Sequence, residues 1–127
     1  MIHFEERGRV GLITIDRQER RNALNAELCQ QLTAALAASR DSRAVVITGA
    51  GSAFCSGADL VTRFADTDTF RPDFEVTLDA VVAHRAPVIA AINGPAIGAG
   101  MQLAVACDLR EGMAAFAEKR SPEFEGR

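Results

Sequence analysis

Short apolar runs bounded by turn residues alternate along this chain with stretches whose apolar residues recur at helical spacing. Ile2 to Glu6 and Val10 to Asp16 read as two strands, and Arg7-Gly8-Arg9 between them predicts a hairpin turn. From Asn25 to Arg40 the period changes. Leu28, Leu32 and Leu36 recur every four residues and mark the buried stripe of a helix. Asn25 suits its N-cap, and Glu27 places negative charge in its first turn. Ala44 to Thr48 is an apolar, β-branched run ended by Gly49-Ala50-Gly51-Ser52, the pattern of a buried strand.

The second half continues the alternation. Ala58 to Phe64 predicts a short helix. Asp66 to Asp73 is polar, contains Pro72 and reads as a loop. Phe74 to Ala83 predicts a helix with Phe74, Leu78 and Val81 or Val82 on one face. Val88 to Ile92 is a further buried strand, Asn93-Gly94-Pro95 a turn, and Gly98 to Ala106 a helix of small residues. Strand, helix, strand, helix, strand, helix in succession indicates an α/β fold. Asp108-Leu109-Arg110 looks like the start of one more strand, yet Glu111 to Arg120 follows at once with the pattern of an amphipathic helix. A parallel strand normally has more length and a connection after it.

Composition narrows the class. In 127 residues, 48% are hydrophobic and 24% charged, which suits a globular chain with a real core. A net charge of −3 argues against nucleic acid as the main partner, because phosphate binding needs clustered positive charge. Two local clusters, Arg17 with Arg20 and Arg21, and Lys119 with Arg120, leave room for a small polyanion, against the plainer reading of solvated faces. Cys29, Cys55 and Cys107 have neither metal-ligand nor redox spacing and read as buried free thiols. Pro87 to Cys107 carries no charge, but Asn93, Gly94, Pro95 and Gln102 interrupt it, so a strand, a turn and a buried helix fit better than a membrane span. The start of the chain shows no secretion signal, and a cytoplasmic location is expected.

Two segments carry the candidate chemistry, AFCSGADL at Ala53 to Leu60 and APVIAAINGPAIGAGMQLAVACD at Ala86 to Asp108. Each runs through small residues into a helix. The first N–H groups of a helix have no partner inside it, so such junctions offer donors to whatever sits above them. Two junctions together can give two donors to one oxygen, the requirement for an oxyanion hole. The alternative is that Gly57, Gly98 and Gly100 only permit tight packing.

The chain resembles the enoyl-CoA hydratase/isomerase (crotonase) superfamily. ERRNALNAEL at Glu19 to Leu28, TGAGSAFCSGADL at Thr48 to Leu60, and APVIAAINGPAIGAGMQLAVACDLR at Ala86 to Arg110 are similar to motifs of its N-terminal half, in order and at natural spacing. EGMAAFAEKRSPEF at Glu111 to Phe124 resembles the family's extreme C-terminus. The resemblance implies a crotonase-like spiral of ββα units, with residues 1–110 as the N-terminal part of the core and 111–127 as the tail helix. It also implies an internal deletion between Arg110 and Glu111, since members are about twice this long. The absent segment holds later turns of the spiral, a second catalytic carboxylate and much of the trimer surface.

By the same resemblance, the N–H groups of Ala58 and Ala99 hold a thioester oxygen, and an enolate forming there gathers charge between them. Ala23 and Leu24 match positions that contact the pantetheine arm and adenine, and Ala53 and Phe54 lie near that groove. Phe116 and Lys119 match tail positions that approach the nucleotide, with plain helix packing as the alternative for Phe116. Gln102 stands where hydratases place a glutamate, and an amide has no useful basicity near neutral pH. Asp59 reads as structural, Ser56 has no histidine at a motif-like position, and His3 and His84 fit no triad or metal pattern.

The resemblance thus implies acyl-CoA thioester binding with enolate stabilisation, the ancestral reaction being hydration of 2-enoyl-CoA in fatty acid metabolism. A non-catalytic acyl-CoA binder and an inactive remnant are the alternatives. No cofactor is expected, because coenzyme A is part of the substrate. No metal, nucleic acid or membrane partner is expected either, and the family's homotrimer or hexamer is the assembly the resemblance suggests.

Overall fold

The computed structural model describes residues 1–63 and 70–111. Strands β1 (Ile2–Arg7) and β2 (Val10–Ile15) form an antiparallel hairpin in which Ile2 faces Ile15 and Arg7 faces Val10. Its two-residue loop begins with Gly8 at φ +62°, a left-handed backbone that glycine adopts without a Cβ penalty. Strands β3 (Ala44–Gly49), β4 (Val88–Ala91) and β5 (Leu109–Glu111) add in parallel, so the sheet runs β1-β2-β3-β4-β5.

Helices occupy the crossovers: α1 (Ala26–Ala38) between β2 and β3, α2 (Leu60–Arg63) and α3 (Phe70–Val82) between β3 and β4, and α4 (Ala99–Ala106) between β4 and β5. Asn25 caps α1 as its sequence predicts, its side-chain oxygen accepting from the Leu28 N–H at 2.9 Å. Leu28, Leu32 and Leu36 are buried with Phe74 and Val81 of α3. They join Ile13, Ile15, Val45, Ile47, Val88 and Ala90, the alternate strand residues that face this core. The opposite residues, Leu12, Val46, Ile89 and Leu109, stand in one register row and stay partly exposed.

Several sequence expectations change. Phe70 to Asp73 is helical rather than loop, with Pro72 in the first turn of α3. There its missing N–H is one that the helix would leave unpaired anyway. On the same helix Val81 is buried and Val82 is 73% exposed. Glu111 ends a strand instead of starting a helix. The three-residue β5 holds because Asp108 secures its entry. Its Oδ2 accepts from the Val88 N–H at 2.8 Å, and its own N–H donates to the Val88 carbonyl at 2.9 Å. The expected end of α2 at Phe64 and the tail helix beyond Glu111 lie outside the described residues. Among the described residues no helix is long and apolar enough to cross a membrane.

Candidate functional site

A cleft of about 470 Å³ opens where the loop before α2 meets the start of α4. Its walls include Ser56, Gly57 and Ala58 on one side and Gly98, Ala99 and Gln102 on the other, with Leu60, Phe70, Arg71 and Phe74 closing it. Backbone requirements bring the two sides together. A Cβ on Gly57 would come within 3.0 Å of the Ile97 carbonyl oxygen and 3.9 Å of the Ala99 nitrogen. A Cβ on Gly100 would meet the Cys55 carbonyl oxygen. The Ile97 N–H donates to that same carbonyl at 3.0 Å. The glycines therefore do permit tight packing, and the packing is what sets Ala58 and Ala99 side by side.

The Ala99 N–H is presented by a turn. Gly98 has φ +57° and ψ −117°, the angles of the first central residue of a type II′ turn. The Gly100 N–H closes that turn on the Ile97 carbonyl at 2.9 Å. The closing bond leaves the central Ala99 N–H outside the ring. Across the cleft, Leu24 and Ala58 form a parallel bridge. The Leu24 N–H donates to the Gly57 carbonyl at 2.8 Å, and the Asp59 N–H donates to the Leu24 carbonyl at 2.7 Å. Carbonyl and N–H of one trans peptide point in opposite directions. Because the Gly57 carbonyl points at Leu24, the Ala58 N–H points away from it. Among the described residues, neither the Ala58 nor the Ala99 N–H has an acceptor.

Gln102 lies one turn into α4, exposed at the cleft wall. Ala23 is half-buried beside the Leu24 bridge. Leu24, Ala53 and Phe54 are at most 1% exposed, so their side chains belong to the core, and none of the three lines the cleft. Phe116 and Lys119 lie outside the described residues. Ser56 donates its hydroxyl to the Arg20 carbonyl at 3.1 Å, a tie between loops. His84 accepts the Ala86 N–H at Nδ1 and lies 3.1 Å by Nε2 from the Leu36 carbonyl, which satisfies it structurally. His3 pairs with Asp16 on the surface.

The sequence reading did not single out Phe70 and Phe74 for the site. Their rings stack at 5.2 Å between centroids and form the apolar end of the cleft. Their i, i+4 spacing was the available signal, obscured by Pro72. Arg17 departs from the solvated-face reading. It pairs with Asp59 at 2.8 Å, the two side chains being 18% and 7% exposed. Burial pushes the Asp59 carboxyl up, but the Arg17 hydrogen bond, the Val61 N–H and the charges of Arg17 and Arg20 outweigh it and hold it below the ordinary range.

All three thiols are free and buried. Burial pushes Cys29 and Cys107 up to about 12 and Cys55 up to about 11, which leaves no thiolate for nucleophilic work near neutral pH. Among the described residues no cluster of His, Cys, Asp or Glu is placed to hold a metal ion.

The chain is similar to known proteins. A family model described as enoyl-CoA hydratase/isomerase matches residues 5–110. A Mycobacterium tuberculosis protein named "probable enoyl-CoA hydratase" is 47% identical over 116 residues, which cover 87% of this chain and 46% of that protein. A Rhodobacter capsulatus protein of the same name is 44% identical over 113 residues, covering 85% of this chain and 44% of that protein. The crystal structure of an enoyl-CoA hydratase from Bacillus anthracis superposes with a TM-score of 0.78 at 36% identity, over 86% of this chain and 46% of that one. The chain spans about half the length of the relatives it matches.

Proposed function

Because the chain belongs to the enoyl-CoA hydratase/isomerase family, we propose that its cleft binds an acyl-CoA thioester with the thioester oxygen between the N–H groups of Ala58 and Ala99. The observation that carries this reading is that pair of donors, without an acceptor among the described residues, on facing walls of one cleft. An enolate formed from the thioester concentrates charge on that oxygen, so fixed donors stabilise it more than they stabilise the neutral ground state. Leu60, Phe70 and Phe74 offer an apolar wall for the acyl chain. Ala23 and the tail residues Phe116 and Lys119 are assigned to the coenzyme A moiety by family resemblance.

Adding water across an enoyl double bond needs a base for the water and an acid for the carbon. No carboxylate is among the described residues that line the cleft, and Gln102 occupies the position assigned to a glutamate. This favours a second reading, a thioester binder with little or no turnover. The family's homotrimer and a cytoplasmic location belong to the proposal on the same footing.

Titration with crotonyl-CoA, followed by thermal unfolding and by loss of enoyl absorbance, tests both readings. Stabilisation greater than that given by free CoA, with little loss of absorbance, is expected. No stabilisation by the thioester would sink the binding reading. Rapid hydration would reject the binder-only one.

A further inference from the structure

We propose that Arg17 is a positioning residue that aims and polarises the Ala58 N–H through two successive peptide groups. The proposal rests on the oxyanion reading of Ala58 above and assigns to this site a cation that does not line it.

The path is short and each link is a hydrogen bond. Nη1 of Arg17 donates to the Ala23 carbonyl at 3.1 Å. That carbonyl shares its peptide plane with the Leu24 N–H, which donates to the Gly57 carbonyl at 2.8 Å. The Gly57 carbonyl in turn shares its plane with the Ala58 N–H, which has no acceptor among the described residues. A guanidinium on the first carbonyl draws electron density through the first amide, and its N–H becomes a stronger donor. The second amide is then polarised in the same sense. Chains of hydrogen-bonded amides strengthen one another by about 10–30% per bond in condensed phase. Here the open end of the chain is the donor aimed at the cleft.

The same guanidinium fixes the geometry. Nη2 lies 2.8 Å from Oδ2 of Asp59, so one planar fork grips both sides of the Leu24–Ala58 bridge, Ala23 on one side and Asp59 on the other. Asp59 Oδ1 accepts from the Val61 N–H at 3.0 Å, which ties the grip to the start of α2. Asn22 holds the Arg17 main chain. Its Oδ1 accepts the Arg17 N–H at 2.8 Å, and its Nδ2 donates to the Ala53 carbonyl at 2.7 Å. A lysine at position 17 would keep the charge but lose the fork.

The test reads the bound thioester directly. Crotonyl-CoA labelled with ¹³C at its carbonyl is saturated with the full chain, and the carbonyl stretch is recorded by isotope-edited infrared spectroscopy. In the wild type the band is expected below its position in water. In Arg17→Met it returns toward that position, and in Arg17→Lys it moves part of the way. A role confined to folding would lower the melting temperature or the affinity and leave the band at saturation unchanged. An unchanged band in Arg17→Met overturns the proposal. Should that variant not fold, an unchanged band in Arg17→Lys does so. If the wild-type chain binds the thioester without any band shift, or does not bind it, the oxyanion reading itself fails, visibly and before any variant is made, and this proposal falls with it.

Discussion

Gln102, the three thiols and Asp59 each make a residue-scale expectation. Returning a carboxylate by Gln102→Glu supplies one acid–base group where the chemistry needs two, and a missing group typically costs ~10²–10⁴-fold. The variant is therefore expected to remain a poor hydratase when crotonyl-CoA loss is followed beside the wild type. Robust turnover would show that one carboxylate in this cleft suffices. The thiols make stability fall on the alkaline side. Their ordinary value is 9.0, and burial raises it to about 11 for Cys55 and about 12 for Cys29 and Cys107. The folded chain then binds protons the unfolded chain has released, so stability is fullest below pH 9.0 and declines as pH rises through the folded values. Cys55→Ala is expected to flatten that limb in pH-dependent melts. Asp59 has the opposite sign. Its folded value is lowered from 3.8, so its contribution is present above that pH and is lost as pH falls through the depressed value. Asp59→Asn should remove part of the acid limb; identical acid limbs in the two proteins would contradict this.

At the scale of elements, the site depends on one close approach. Helix α4 begins at Ala99 with Gly100 pressed on the Cys55 carbonyl, and this contact sets the start of α4 against the loop before α2. Gly100→Ala forces backbone against side chain, an overpacking that typically costs about 1–3 kcal/mol. The expected result is a lower denaturation midpoint together with weaker discrimination between crotonyl-CoA and free CoA. Lost stability with undiminished discrimination would mean that α4 can shift without disturbing Ala99. Helix α1 is a contrasting case. Its Asn25 cap and leucine stripe are local features, and both were legible in the sequence. The start of α3 was not. Pro72 locally argues for a loop, and only the stacking of Phe70 on Phe74 against the core shows why the helix begins earlier.

For the whole molecule, the apolar surface left open is the main concern. Ile97, Met101 and Val105 follow one another at intervals of four along the beginning and outer face of α4, and they are 58%, 55% and 61% exposed. The row Leu12, Val46, Ile89 and Leu109 on the sheet is only partly buried. Contiguous exposed apolar surface favours association. Concentration-dependent association is therefore expected in sedimentation velocity, reduced by the double substitution Met101→Lys and Val105→Lys. A monomer at all concentrations, with no binding of an apolar dye, would overturn this.

What the sequence determined by itself is whatever depends on neighbours along the chain. Both early strands, the capped helix, the later strands and the two loop-to-helix junctions follow from local patterns, and the motifs carried the family. The tertiary structure decided what depends on residues far apart in sequence. It placed Arg17 against Asp59, where a run of arginines reads locally as a solvated face, because only the fold brings a carboxylate into its reach. It turned Leu24, Ala53 and Phe54 into core, because burial is a property of the assembled layers. It carried the strand that the sequence starts at Leu109 on to Glu111, where a helix pattern reads locally, because β4 lies beside it. Above all it set Ala58 next to Ala99, 41 positions apart in the chain, through glycines whose missing side chains let the two backbones meet.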